Sequence, residues 1–233
     1  MAFPQVAAHI GQTFDPAATT HNVTMPSTVN AGDLLIVLLV WSNTNSISNP
    51  SGWSNLFQTS FSGRRGGGWL KVAAGTEGST NVNFSTSSSS KMAARVYRVT
   101  GWFGDAAGVE ATGAATGSGS TPNPASLTPS WGAAETLWLA NAHAWTDATS
   151  VTSYPSNYSN GAFSIVNSEN AIIASARREL SASSEDPATF TLNDSGNWLA
   201  STIAIQPAGG TAPSGGRQTL GRGIQRGVMR GAR

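Results

Sequence analysis

The residues that most often perform catalysis are few in this chain, and their spacing does not suit catalysis. There are three histidines (His9, His21 and His143) and no cysteine. The histidine spacing matches no zinc motif, and the sequence has no His-Glu-x-x-His segment and no phosphate-binding glycine loop. Serine is abundant, but no Gly-x-Ser-x-Gly sequence marks a nucleophile. We therefore expect no enzymatic activity, no metal centre and no cofactor.

The carboxylates do not form an obvious acid–base pair. Glu185 and Asp186 are adjacent, and adjacent residues of a strand point to opposite faces of a sheet. Asp33 and Asp194 are candidates for a calcium site built from loops, but single carboxylates at such positions are more often turn residues. These acids favour a structural interpretation.

Aromatic side chains offer one binding chemistry, which is stacking on sugar rings. Trp53, Tyr154 and Tyr158 lie in or beside two similar segments, residues 50–55 and 155–160. Flat ring faces suit pyranose rings, so these three residues are candidate glycan contacts. The repetition of Trp53 as Tyr158 favours the alternative interpretation, in which the rings pack in the core.

The second binding candidate is the tail segment, residues 208–233. After a Gly/Ser/Pro-rich start, arginines, aliphatic residues and glycines each recur at every fourth position. We assign the following residues to an assembly anchor: Arg217, Leu220, Arg222, Ile224, Arg226, Val228 and Arg230. In a helix these rows form separate stripes, whereas in an extended chain the large side chains share one face. Both conformations remain open, although each helical glycine costs about 1 kcal/mol relative to alanine.

The charge distribution bears on which partner the tail segment binds. Residues 207–233 contain five arginines and no acid, whereas residues 1–206 carry a net charge of −4. Arg-Gly segments also contact phosphates, so nucleic acid is an alternative partner. The acidic body and the lack of aromatic residues in the segment argue against nucleic acid. We expect the tail segment to dock on a larger protein assembly or on symmetric copies of this chain.

Composition indicates which elements carry these residues. Charged residues make up only 11% of the chain, which disfavours long surface helices, while 39% apolar content is too high for disorder. The longest apolar run, residues 34–41, is far shorter than the ~20 residues that span a bilayer. The first residues have no basic and apolar leader, so we expect no signal peptide and no membrane association. The sequence predicts an all-β protein made in the cytoplasm.

The chain also contains an internal duplication. Four segments recur in the same order: 32–37 as 134–139, 50–55 as 155–160, 77–84 as 185–192 and 92–99 as 198–205. In this alignment His143 matches Trp41, so we interpret His143 as a strand residue.

The duplication predicts how the domain is organised. Four strands cannot easily bury two faces, so we expect halves at about 20–103 and 125–207 to form one antiparallel β-sandwich or jelly roll over residues 1–207. Two separate sandwiches are the alternative. Residues 104–124 are predicted to be a crossover with little to pack, and the glycine-rich segments 62–68 and 193–196 to be turns or loops.

The motif order resembles a known group of modules. Ala-Gly-Asp-Leu-Leu-Ile-Val, then Pro-Ser-Gly-Trp, then Trp-Leu-Lys-Val-Ala-Ala-Gly-Thr-Glu, and a second half ending in Trp-Leu-Ala-Ser-Thr-Ile-Ala-Ile-Gln-Pro, cover roughly residues 20–207. This pattern is similar to β-sandwich modules of phage tail-fibre, tail and head-decoration proteins and of some bacterial surface proteins.

The resemblance carries expectations about setting and partners. It implies a structural virion protein, released by lysis, that decorates the head or forms a small fibre. Its partners would then be other virion proteins and further copies of itself in a homo-oligomer. The alternative function is a glycan-binding module for host attachment.

Overall fold

A computed structural model describes residues 1–166, 168 and 170–210. The strands are β1 (Gln5–Thr24), β2 (Leu34–Trp41), β3 (Ser54–Phe61), β4 (Arg64–Val72), β5 (Asn81–Thr100), β6 (Val109–Ala111), β7 (Ala115–Gly119), β8 (Ala134–Trp145), β9 (Val151–Ser153), β10 (Ser159–Val166), β11 (Ala171–Ala182), β12 (Thr191–Leu192) and β13 (Gly196–Ile205). A 3-10 turn, Ala106–Gly108, precedes β6. The predicted all-β class is confirmed. Within the described residues, no helix has the length and apolarity to cross a bilayer.

Each half of the chain supplies one antiparallel sheet. Sheet 1 has the order β1-β5-β2-β4-β3, and sheet 2 has the order β6-β13-β8-β11-β10, with β7 also paired to β13. The small β9–β12 pair is separate. When strands are matched by chain order, the two sheets have the same arrangement. The structure is therefore one sandwich, as expected from the duplication.

The main core lies between the two sheets. Strand β2 is apolar throughout because both of its faces are buried. Its inner side chains, such as Leu34 and Ile36, pack with Leu137 and Leu139 of β8 and with Ile203 of β13. Its outer side chains belong to a second cluster on the outside of sheet 1.

Both sheets are also covered on their outer faces. On sheet 1, Phe84 from the first part of β5 packs edge-on against Trp69 of β4, with ring centroids 5.4 Å apart. On sheet 2, Phe190 and Trp131 come from loops and pack over strands β8 and β13. Each sheet is thus buried on two sides, which explains why so much of a lightly charged chain is apolar.

In strands β2 and β8, the structural alignment of the two halves differs by one residue from the sequence alignment. Leu34 and Leu137 are the inner-facing equivalents, whereas Thr136 faces outward and accepts a hydrogen bond from Trp131 Nε1 at 3.3 Å. His143 therefore corresponds to Val40 and not to Trp41. A one-residue shift matters because it exchanges the two faces of a strand.

The prediction of a loop at 62–68 is wrong beyond its first two residues. Only Ser62 and Gly63 form the turn, with positive φ angles of 43° and 75°, and β4 begins at Arg64. The glycines fit a strand because aromatic rings occupy the space above them. A Cβ at Gly66 would lie 3.0 Å from His143 Nδ1, and one at Gly68 would lie 2.8 Å from the Phe57 ring.

The predicted crossover at 104–124 also contains strands. Strands β6 and β7 both pair with β13, in the position that β1 takes beside β5. The small residues of β7 are explained by its partner, because the Trp198 ring lies over Gly117. Strand β1 begins at Gln5, so the first half extends well before residue 20.

Candidate functional site

The assembly-anchor residues lie outside the described residues. They are Arg217, Leu220, Arg222, Ile224, Arg226, Val228 and Arg230. What the structure does describe is the point where the tail segment starts. The chain leaves β13 at Ile205, and the described residues end at Gly210.

The start of the tail segment is held firmly against the sandwich. The backbone N–H of Ala208 donates to Gly101 O at 3.0 Å, and Pro207 forms a bridge with Trp102. The N-terminus is at the same end, because the Met1 ammonium group pairs with Glu135 at 3.2 Å and a Cβ on Gly209 would lie 3.8 Å from Met1 Sδ. We call this the exit end of the sandwich.

Trp53 lies in the outer core of sheet 1. It is only 5% exposed, and it packs edge-on against Phe84 with ring centroids 5.9 Å apart. That leaves too little ring surface for sugar stacking, because stacking needs an open face.

Tyr154 and Tyr158 lie on the outside of the other sheet, so the structure does not bring the three glycan candidates together. Tyr154 covers Gly161 and packs against Phe190 with ring centroids 6.0 Å apart. The hydroxyl of Tyr158 is buried, and burial together with the negative charge of Glu185 raises the pKa of Tyr158. Both tyrosines are partly buried and serve as packing residues.

The duplicated glutamates each bind a cation from an equivalent strand. Glu77 pairs with Lys71 of β4 at 2.9 Å, and Glu185 pairs with Arg178 of β11 at 2.8 Å. Both glutamates are buried, at 5% and 7% exposure. The sequence shows the repeated glutamates, but the cations become recognisable as partners only once the strand register is known.

The Glu77 carboxylate is the more heavily hydrogen-bonded of the two. It accepts from the backbone N–H groups of Ala74, Gly75 and Thr76 at 2.9–3.0 Å, in addition to Lys71. Burial opposes ionisation, but the Ala74 N–H and the Lys71 ammonium group outweigh it and lower the pKa of Glu77 to about 2. This carboxylate is ionised at neutral pH and fixes the turn that follows β4.

A cleft opens beside each of these ion pairs. The first cleft, of about 440 Å³, is lined by residues that include Ser51, Trp53, Lys71, Glu77, Asn81 and Asn83. The second cleft, of about 330 Å³, is lined by Asn157, Ser159, Asn160, Arg177, Arg178 and Glu179. The turn at 50–53 matches the turn at 155–158, and Lys71 matches Arg178, but the other residues that line the second cleft correspond to none of those that line the first.

His143 sits in a polar cluster between the sheets. Its Nδ1–H donates to Leu39 O at 2.9 Å, and Nε2 lies 3.1 Å from the Asn141 side-chain amide. Ser201 Oγ bonds the same amide at 2.9 Å. Complete burial lowers the pKa of His143 to about 4, so the ring is neutral at pH 7. This arrangement fixes a core position and presents no group to solvent.

Arg95 occupies the seam between β5 and β10. It is 4% exposed and donates to Ser164 Oγ and to His9 Nδ1, both at 2.9 Å. Burial, followed by the positive charges of Arg95 and Arg177, lowers the pKa of His9, which keeps Nδ1 available as an acceptor. Sequence patterns gave no sign of this contact, because its members come from three strands far apart in the chain.

Comparison of this chain with protein-family models, with curated proteins and with solved structures finds no match. The geometry of the described residues is therefore the basis for the functional argument.

Proposed function

We propose that this chain is a non-enzymatic structural subunit of a phage particle. The sandwich is an exterior head-decoration or small fibre subunit, and the tail segment anchors it to the particle or to symmetric copies of itself. The observation that carries the proposal is the single, fixed exit of the tail segment from a self-contained body.

The exit geometry supports an anchoring role. Hydrogen bonds hold residues 206–208 to the loop after β5, including Phe103 N–H to Gln206 O at 2.9 Å. Because these hydrogen bonds hold the start of the tail segment, binding of that segment to a partner would also fix the position of the sandwich. The periodic arginines and aliphatic residues then supply both charge and apolar contacts to a partner.

The distribution of charged residues also supports separate roles for the sandwich and the tail segment. Lys71, Lys91, Arg98 and Arg178 all form ion pairs inside the sandwich. The tail segment, by contrast, has five arginines and no acid, and it follows a body of net charge −4. Such a segment is suited to an acidic protein surface.

Immunogold labelling tests the proposal directly. An antibody against the sandwich is applied to particles and cells of the source, and we expect label on the particles. Deletion of residues 211–233 should remove the label from particles or lower the oligomeric state measured by light scattering. Label confined to cells, together with an oligomeric state unaffected by the deletion, would refute the proposal.

A matched variant separates charge from shape in the tail segment. Replacing Arg222, Arg226 and Arg230 by Gln keeps the chain length and a polar, unbranched aliphatic stem at each position but removes three charges. We expect weaker particle association that depends less on salt, because ions screen the electrostatic part of binding and two arginines of the tail segment remain. Replacement by Lys at the same positions serves as the control that keeps the charge.

A further inference from the structure

We propose that the side of the sandwich on which β1 meets sheet 2 is a pH-sensitive switch, which is closed while His9 is neutral and opens when His9 takes up a proton. The inference concerns the sandwich and does not rest on the particle role proposed for the tail segment. Strands β1 and β10 are edge strands of sheets 1 and 2. We use the name β1 seam for the contacts that join β1 and β5 to β10, β11 and the turn between them.

Exposed polar contacts lie at the two ends of the β1 seam. At one end Gln5 Nε2 donates to Glu179 Oε1 at 2.9 Å. At the other end the Lys91 ammonium group pairs with Asp15 at 3.2 Å and donates to Ser168 Oγ at 2.9 Å. Exposed polar contacts contribute little to stability, so the buried contact between these two ends decides whether the seam stays closed.

The buried contact in the middle of the seam is made by the guanidinium group of Arg95, a residue that is 4% exposed. Its Nη1 donates to Ser164 Oγ at 2.9 Å and to Phe163 O at 3.2 Å, and its Nη2 donates to His9 Nδ1 at 2.9 Å. An imidazole can accept at Nδ1 only when it is neutral, with its proton on Nε2. The contact that joins β5 and β1 to β10 therefore requires a neutral His9 ring.

Gly11, two residues after His9, allows β1 to approach β10 closely. A Cβ at Gly11 would lie 3.0 Å from Arg95 Nη1 and closer still to Ser164 Oγ. The absence of a side chain thus brings the two edge strands into direct contact beside the guanidinium group. A repulsion between His9 and Arg95 would act on this contact itself.

The surroundings of His9 are positively charged. Arg95 of β5 and Arg177 of β11 both act on it, Tyr97 of β5 packs against its ring with centroids 5.9 Å apart, and β10 contains no ionisable residue. Within the described residues, no carboxylate pairs with Arg95 or Arg177. Burial, followed by these two positive charges, lowers the pKa of His9. The closed seam therefore favours the neutral ring.

Protonation of His9 reverses the contact. An imidazolium ion carries N–H donors on both nitrogens, so Nδ1 can no longer accept from Arg95, and the new charge repels both guanidinium groups. The pKa of His9 in the folded chain lies below its ordinary value of 6.5. The stability that the closed seam contributes is therefore present above pH 6.5 and is lost as the pH falls through the folded-state pKa. Because β1 remains paired with β5, the seam can open without unfolding of either sheet.

Hydrogen exchange of the full-length chain, followed by mass spectrometry from about pH 8 to about pH 5, is the first experiment, because histidine titrates in this range. Exchange rates are corrected for the intrinsic effect of pH on amide exchange. We expect residues 5–14 and 159–166 to lose protection as the pH falls, while residues 34–41 and 134–145 keep it. The pKa of His143 is about 4, so the core histidine stays mostly neutral and does not produce this loss.

A cross-link tests whether the loss of protection comes from opening of the seam. The chain contains no cysteine, and a Cβ on Gly11 would lie 3.7 Å from Ser164 Cβ, within the range of roughly 3.5–4.5 Å found in disulfides. In the variant Gly11→Cys, Ser164→Cys, the oxidised form should keep its protection over the whole pH range. The reduced form should lose protection at low pH, because His9 and Arg95 are still present.

Substitutions of His9 and a matched control identify the titrating group. His9→Gln supplies an uncharged acceptor at every pH and should keep residues 5–14 protected throughout, whereas His9→Lys supplies a cation and should leave them poorly protected throughout. Thr13→Gln is the control, since Thr13 is exposed on the same strand and pairs with Ala93 across the β1–β5 ladder. The control should respond to pH like the unmodified chain.

An NMR titration of the His9 ring should have the same midpoint as the loss of protection. Four results would overturn the proposal: protection of residues 5–14 that does not change with pH, a pH response that persists in His9→Gln, a response that persists in the oxidised cross-linked variant, or a His9 midpoint that differs from the midpoint of the loss.

Discussion

The two sheets share one strand order but differ in what they place at the centre of the sandwich. In sheet 1 the inner positions of β2 are Leu38 and Val40, whereas the equivalent positions of β8 are Asn141 and His143. Sheet 1 therefore contributes apolar contacts at a point where sheet 2 contributes a polar cluster.

Sheet 1 provides the space and the hydrogen-bond acceptor that the His143 side chain of sheet 2 needs. Strand β4 has Gly66 beside Val40, and the equivalent residue beside His143 is Ile173 of β11. The imidazole packs over Gly66, which has no side chain, and bonds the backbone of Leu39. A duplicated backbone can thus hold different side chains, provided that the volume and hydrogen bonds across the interface still match.

The largest predicted consequence of this difference is acid sensitivity. The folded-state pKa of His143 is about 4, below its ordinary value of 6.5, so the unfolded chain takes up the proton first. The contribution of the neutral His143 ring to the free energy of unfolding is fully present above pH 6.5. It is lost as the pH falls towards 4, and the loss amounts to about 3 kcal/mol. Urea unfolding at a series of pH values measures this loss.

A variant that copies sheet 1 sharpens the comparison. His143→Val combined with Asn141→Leu gives β8 the inner residues of β2. We expect a lower free energy of unfolding at pH 7, because Leu39 O and Ser201 Oγ lose the partners that His143 and Asn141 supply, and a smaller further loss on acidification. His9 contributes in the same direction in both proteins, since its pKa is also lowered. An unchanged pH dependence in the variant would exclude His143 as the source.

The ion pairs Glu77–Lys71 and Glu185–Arg178 should differ in their contribution to the free energy of unfolding, by less than the effect predicted for His143. Glu77→Gln leaves three backbone N–H groups and Lys71 to share one amide oxygen, so we expect a loss of about 2–3 kcal/mol. Glu185→Gln removes one charged contact with Arg178 and should cost about 1–2 kcal/mol. Denaturant unfolding of both variants at pH 7 gives the ranking. A larger effect at Glu185 would contradict the assigned hydrogen bonds.

The smallest predicted effect concerns the contact across the sheets. Gly66→Ala places a methyl group 3.0–3.2 Å from the His143 ring and should cost about 1–2 kcal/mol. In the His143→Val, Asn141→Leu background the cost should shrink, because valine leaves space for the methyl group. A double-mutant cycle measures this coupling. Equal costs in both backgrounds would show that the strain arises elsewhere.

Features written in local pattern could be predicted from the sequence. Residues 34–41 form a central strand because an apolar run with both faces buried needs no other information. The recurrence of Trp53 as Tyr158 and of Glu77 as Glu185 located equivalent turns in the two halves. The all-β class followed from low charge and abundant turn residues.

Features that depend on residues far apart in the chain could not be predicted from the sequence. Residues 66–68 have the composition of a loop, and only the rings of Phe57 and His143 make them suitable for a strand. The one-residue shift between β2 and β8 could not be predicted, because it depends on the contact in which Trp131 buries Thr136. No sequence pattern indicates that contact. The first cleft could not be predicted because it depends on the fold that brings Lys71 of β4 to Glu77. The single-sandwich arrangement was accessible because the duplication constrained it.

The position of β13 has a mechanical consequence for an anchored subunit. This strand continues directly into the tail segment and is hydrogen-bonded on both sides, to β8 along most of its length and to β6 and β7 on the other edge. Ladder hydrogen bonds run perpendicular to the strands, so a pull along β13 loads them together in shear. Traction applied through residue 210 would therefore meet the collective resistance of the centre of sheet 2, where an attachment through an edge strand would peel away one bond at a time.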